Sequence, residues 1–151
     1  MPAPKSILRT SKEKKPFAPV DNASTLYTKV VQLCLKMPKR YTYLILQPVI
    51  HVAAEVMEET KKANSVFPQN QREYQIRRNH WIEARASLQA LSSHIDRLVE
   101  LPGVLSVKEN GKKRQITEHE LFEIGSLIIS EMALIKHQLS EEKERYKDLD
   151  P

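Results

Sequence analysis

Apolar residues recur at helical spacing in four separate segments of this chain. The first predicted helix starts near residues 21–24, a run of good N-cap types, and ends before Pro38. Its apolar stripe consists of Leu26, Val30, Leu33 and Met37. The second covers about residues 41–64 and contains Pro48. Because proline lacks the backbone N–H that a helix interior needs, we expect a kink or a late start there.

The third segment has the clearest pattern, because its apolar positions repeat every seven residues. This seam consists of Tyr74, Trp81, Leu88 and Ile95, with Ala84, Leu91 and Leu98 three positions after the last three. It predicts a helix from about Asn70 to just before Pro102, with a face that needs an apolar surface opposite it. The fourth helix opens with Thr117 and Glu120 at capping-box spacing and carries an apolar stripe to Leu139.

Between the last two helices, Asn110-Gly111 is typical of a type I′ hairpin turn. A short β-hairpin and a long basic loop both remain open for this stretch. Together the segments predict an all-α fold, an antiparallel up-down four-helix bundle over residues 21–145. Residues 1–20 are expected to form a disordered basic arm and residues 146–151 a frayed, charged tail.

Charge and composition narrow the class of protein. The chain has 151 residues and a net charge of +5, and +4 of that lies in residues 1–20, where five basic residues stand against Glu13. The arm is therefore either a solubilising tail or a tether to nucleic acid or another anion. The single cysteine, Cys34, suits a reducing compartment. No apolar stretch resembles a secretory signal or a membrane span, so we expect a cytoplasmic protein.

The residues that catalysis or metal binding would require do not occur at suitable spacing. No glutamate has a histidine three residues later, the arrangement that di-iron bundles need. The segment from His119 to Glu123 has glutamate where a zinc-protease helix has its second histidine. Phosphate-cradling glycine loops and cysteine clusters are absent from the sequence. We therefore expect a non-enzymatic protein without a metal or cofactor.

Clustered cations are the remaining functional signal, and they predict contacts to nucleic-acid phosphates if they share one surface. Alternatively, any one cluster is an ordinary solvated surface with ion pairs. The candidate contacts are Lys36, Lys39 and Arg40 around the first turn, Arg72, Arg77, Arg78 and Arg85 on the third helix, and Lys112, Lys113 and Arg114 beside Asn110-Gly111.

The run Met37-Pro38-Lys39-Arg40-Tyr41-Thr42, followed by Leu44, resembles a turn motif of a bacterial four-helix-bundle family. That family includes proteins encoded in 23S ribosomal RNA intervening sequences and Avd, the accessory protein of diversity-generating retroelements. Ala63-Asn64 and the third-helix seam with Arg77-Arg78 extend the resemblance over roughly residues 24–140. Pro48, the basic arm and the Asn110-Gly111 segment depart from the family pattern.

The resemblance implies a homopentamer with a basic surface that binds RNA or DNA and associates with a reverse transcriptase. It also implies that Lys39, Arg40, Arg77 and Arg78 are the main contacts. On that basis, replacing Arg77 and Arg78 with glutamate is expected to abolish binding and to leave the helices intact. The alternative function is a protein–protein adaptor of a mobile genetic element that does not itself bind nucleic acid.

Overall fold

The computed structural model describes residues 17–101 and 103–151. Within these residues the chain is mostly helical, as predicted, with four long helices and one two-stranded sheet. The helices are α1 (Ala18–Lys36), α2 (Gln47–Ser65), α3 (Gln71–Val99) and α4 (Glu118–Arg145). The strands β1 (Ser106–Glu109) and β2 (Lys112–Gln115) pair antiparallel between α3 and α4.

Helix α1 begins earlier than predicted. Its N-cap is Phe17, and Pro19 lies buried in the first turn, where the missing N–H of a proline does no harm. Asp21 lies in the same turn, where its negative charge interacts favourably with the positive end of the helix dipole. The predicted start at residues 21–24 is therefore wrong, and residues 18–20 belong to the helix. Residues 1–16 of the predicted arm lie outside the described residues.

The connection from α1 to α2 confirms the late start predicted from Pro48. A 3₁₀ turn at Lys39–Tyr41 leads into a π-helical turn at Thr42–Leu46. Regular α-helix begins only at Gln47, so Pro48 lies in the first turn of α2, where its ring is tolerated. The π turn buries Leu46.

Side-chain caps set the starts of α3 and α4 as predicted. The backbone N–H of Glu73 donates to Asn70 Oδ1 at 2.8 Å. Thr117 and Glu120 form a complete capping box, because each side chain accepts a hydrogen bond from the other's backbone N–H. Asn110 and Gly111 both have positive φ, at 53° and 79°, which confirms the hairpin over the loop.

The core forms where the apolar stripes meet. Helix α1 packs on α2 and α4, and α3 also packs on α2 and α4. Trp81, Leu88 and Leu91 of the α3 seam are fully buried, which confirms the heptad prediction. Val104, Val107 and Ile116 of the hairpin segment are buried as well and join the same core.

Residues 146–151 do not form the predicted frayed tail. The Tyr146 ring packs against the Tyr74 ring with centroids 5.3 Å apart. Gln71 donates through its side chain to the Tyr146 carbonyl and through its backbone N–H to the Asp150 carbonyl, the latter at 2.7 Å. The last residues therefore supply acceptors for the start of α3, where helical N–H groups lack partners.

Candidate nucleic-acid interface

The structure contradicts the prediction that Arg77 contacts phosphate. Arg77 is 5% exposed and points between the helices. Its Nε and Nη2 donate to the two carboxylate oxygens of Glu142 at 2.7 and 2.9 Å, and its Nη1 donates to the carbonyls of Ala63 and Val66. All three nitrogens of the guanidinium thus donate hydrogen bonds within the protein. The predicted Arg77 contact was wrong because this position lies one turn before Trp81 on the buried face of α3.

Arg77, Trp81 and Glu142 form a buried cluster that we call the clasp. The Trp81 indole N–H donates to both Glu142 oxygens at 3.1 and 3.2 Å, and the Arg77 guanidinium lies 5.6 Å from the Trp81 ring. The Phe17 and Trp81 rings pack in an edge-to-face arrangement with their centroids 6.1 Å apart. A bidentate pair with these extra donors satisfies both buried charges, so the clasp fixes the end of α2 to α3 and α4.

Arg114 is also engaged within the molecule. Its guanidinium donates to the two oxygens of Glu120 at 3.1 and 2.8 Å. The hydrogen bond from Arg114, followed by that from the Thr117 backbone, lowers the pKa of Glu120 to about 2. Arg114 therefore ties β2 to the first turn of α4, and its predicted role as a phosphate contact is corrected to a positioning role.

The remaining candidate cations form two separate groups, one at one end of the molecule and the other along the first half of α3. Near the α1–α2 connection, a Cβ on Gly103 would be 3.6 Å from the Tyr41 hydroxyl, so the segment after α3 meets that connection. The start of α3 lies instead beside the end of α2, where Arg77 contacts Val66. Helix α3 has 29 residues and so separates these ends by about 40 Å. The ten candidates cannot form one continuous patch.

One end contains most of the exposed candidate cations, and we call it the basic end. It consists of Lys36, Lys39, Arg40, Lys112 and Lys113, all exposed. None of these five side chains forms an ion pair with another residue in the described part of the chain. The guanidinium of Arg40 lies 4.9 Å from the centre of the Tyr41 ring. Tyr43 projects from the π turn with 81% of its surface exposed.

A sparser set lies along the first half of α3. Arg72 and Arg85 are exposed and Arg78 is half-buried. They are distributed over 14 residues of α3, or about 20 Å. Glu73 and Glu83 lie in the same stretch of sequence. This arrangement fits a solvated helix surface better than a phosphate-binding patch.

A second buried carboxyl, Glu131, was missed by the sequence interpretation. It is fully buried on α4, and among the described residues neither carboxyl oxygen has a hydrogen-bond partner. Burial raises the pKa of Glu131 to about 8, and the nearby Asn22 amide, which donates to the Leu127 carbonyl at 3.1 Å, opposes this only in part. The available signal was that Glu131 and Glu142 both fall at core-facing positions of the α4 stripe.

The described residues were also compared with the requirements of a metal site and of a membrane-spanning helix. In residues 17–101 and 103–151, no cluster of three or more histidine, cysteine, aspartate or glutamate side chains is placed to hold a metal ion. Nor does any described helix have the length and apolarity needed to cross a membrane.

Comparison with known proteins adds no relative. No protein-family model matches this chain, and no curated protein matches it significantly. The likeness to the Avd and intervening-sequence family therefore depends on the turn and seam residues already described.

Proposed function

We propose that this is a non-enzymatic, cytoplasmic accessory protein that binds RNA or DNA through its basic end. The observation that carries the proposal is the set of five exposed cations at one end of the molecule, without ion-pair partners among the described residues, beside the exposed ring of Tyr43. Cations held by internal carboxylates have little charge to offer a phosphate, and these five are not so held.

The mechanism is neutralisation of phosphates with little reading of bases. Each phosphate contact releases counterions, so five contacts give a slope of about −4.5 in log K against log salt on duplex DNA and about −3.5 on a single strand. Stacking of an unpaired base on Tyr43 would add roughly 1–3 kcal/mol. Exposed Tyr43 thus favours single-stranded or looped nucleic acid over a plain duplex.

The wider picture is also a proposal. We propose that the four helices form an antiparallel up-down bundle, which the packing of each helix on two others supports. The turn motif at residues 37–42 supports membership of the Avd and intervening-sequence family and, with it, association with a reverse transcriptase. The homopentamer implied by that resemblance stays a prediction.

The test compares two matched double variants in fluorescence anisotropy with a labelled RNA stem-loop at several salt concentrations. Lys39→Gln with Arg40→Gln removes two cations from the basic end, and Arg72→Gln with Arg78→Gln removes two from the first half of α3. We expect the first variant to bind more weakly and its salt slope to become shallower by about 1.4–1.8. The second variant should keep both affinity and slope close to wild type.

Two results would contradict this assignment. Equal losses in both variants would mean that net charge, rather than the basic end, governs binding. Absence of any salt-dependent binding by the wild-type protein would favour the adaptor alternative. Leu35 and Leu44, exposed by 79% and 86%, offer an adaptor an apolar contact in this region.

A further inference from the structure

The outward face of α4 carries a short apolar seam that no other described element covers. We call Phe122, Ser126, Ile129 and Ala133 the outer seam. Phe122 and Ile129 are 69% and 73% exposed, although they are large apolar side chains. Their spacing of four, three and four residues places all four on one face of the helix. This face is opposite the one that packs against α1 and α3.

An apolar groove adjoins the seam on the α3 side. Ile128, Met132 and Lys136 of α4 line it together with Ile129 and Ala133 of the seam, and Gln89 and Ser92 of α3 form its other wall. Lys136 is exposed there and has no ion pair within the described residues. An exposed apolar surface with a charged rim is typical of a contact with another protein.

We propose that the outer seam pairs with the outer seam of a second copy of this chain, antiparallel, about a two-fold axis at the level of residues 127–128. The seam is complementary to itself in this direction. Antiparallel alignment sets Phe122 opposite Ala133 of the other copy, and Ile129 opposite Ser126 of the other copy. Each large side chain then faces a small one, so the two helices can approach closely with knobs in holes.

Charge favours the same direction of pairing. Glu118 and Lys136 are 18 residues apart, or five full turns, so they lie on the same side of α4. Antiparallel pairing brings Glu118 of each copy to the level of Lys136 and His137 of the other, and the two-fold axis repeats the contact at both ends. Parallel pairing would instead set Glu118 against Glu118 and Phe122 against Phe122.

This contact is independent of nucleic-acid binding, because it uses none of the cations of the basic end. A two-fold contact is isologous and closes at two copies, whereas a ring of five requires two different surfaces on each copy. The copy number therefore separates this proposal from the pentamer that the resemblance implies.

Sedimentation of the full chain over a range of concentrations gives the first test. We expect a dimer that Ile129→Asp dissociates, with affinity weakened by more than about tenfold, because the charge would be buried at the centre of the contact. Leu35→Asp is the matched control, since Leu35 is a comparably exposed apolar residue elsewhere, and it should remain a dimer. Circular dichroism checks that both variants keep their helices.

Charge reversal and cross-linking test the direction. Glu118→Lys and Lys136→Glu should each weaken the dimer, and the double variant should recover it. Phe122→Cys and Ala133→Cys, mixed under copper–phenanthroline, should form a mixed disulfide. The Phe122→Cys variant should not cross-link to itself, because two copies of that position would be about 16 Å apart along the helices.

Three outcomes would overturn the proposal. The wild-type chain could sediment as a monomer throughout, Ile129→Asp could leave its assembly unchanged, or Phe122→Cys could cross-link efficiently to itself. A pentamer that is indifferent to Ile129 belongs to the second of these outcomes. A wild-type chain that forms this dimer but shows no salt-dependent binding of RNA would refute the proposed function and leave the dimer intact.

Discussion

The buried carboxyl of Glu131 makes the stability of this protein depend on pH in an unusual direction. An ordinary glutamate titrates near 4.5, whereas burial raises the pKa of Glu131 to about 8 in the folded chain. Between those values the folded state holds a proton that the unfolded state has lost. Stability is therefore greatest below about pH 4.5 as far as this group is concerned, falls as pH rises, and levels off above about 8.

The size of the effect follows from the two pKa values. At roughly 1.4 kcal/mol per pH unit, the interval from 4.5 to about 8 corresponds to about 5 kcal/mol of unfolding free energy. That is comparable to the whole stability of a marginal domain, which is about 5–15 kcal/mol. We therefore expect the wild-type protein to be markedly less resistant to urea at pH 9 than at pH 5.

Urea unfolding followed by circular dichroism at pH 5, 7 and 9 measures this, with Glu131→Gln as the comparison. Glutamine keeps the shape but cannot ionise, and every other titrating group, including the His80–Glu59 pair at 2.6 Å, is common to both proteins. The wild type should lose about 4 kcal/mol more than the variant between pH 5 and 9, because pH 5 already lies slightly above the unfolded pKa of 4.5. Parallel loss in both proteins would refute the reasoning, because it would mean that Glu131 is already ionised in the folded state.

Three other predictions concern the clasp, the cap and the thiol. Arg77→Ala should cost about 3–5 kcal/mol in urea unfolding because it leaves the Glu142 charge buried and unpaired, and a loss below 1 kcal/mol would contradict the clasp. Thr117→Ala should cost about 1 kcal/mol by removing half of the capping box, whereas Thr28→Ala on the exposed side of α1 should cost nothing, because alanine has the higher helix propensity. Burial raises the pKa of Cys34 to about 11, so we expect the folded protein at pH 8 to react with a thiol-specific disulfide reagent only as fast as it unfolds; rapid reaction before unfolding would show that the thiol is accessible.

Local signals in the sequence predicted most of the fold. The Thr117–Glu120 box, the Asn110-Gly111 turn and the heptad seam through Trp81 each depend on residues close together in the chain, and each is confirmed. The start of α1 was missed because residues 17–20, which include Pro19, were assigned to the disordered arm. In the structure Pro19 occupies the first helical turn, a position where proline is also common.

The candidate site was harder to predict because its arrangement depends on contacts distant in sequence. Arg77 and Arg78 are neighbours in the chain, yet the turn of α3 buries the first and leaves the second half-exposed. The partner that marks Arg77 as internal, Glu142, is 65 residues away. The separation of the α3 cations from the basic end likewise depends on how the helices pack, so the earlier expectation for Arg77→Glu with Arg78→Glu changes. That variant would oppose Glu142 with a second buried negative charge and unfold the protein before binding could be measured.

The indole of the clasp has a practical consequence. Trp81 is the single tryptophan of the chain, so the intrinsic fluorescence of the unlabelled protein reports on one known environment. Any movement of α4 away from α3 would change the fluorescence of Trp81, because its indole N–H is hydrogen-bonded to Glu142 of α4. The end of α3 near the basic end lies 18 residues from Trp81, or about 27 Å along the helix. A change in emission when RNA is added would therefore report a rearrangement of the clasp at a distance from the basic end.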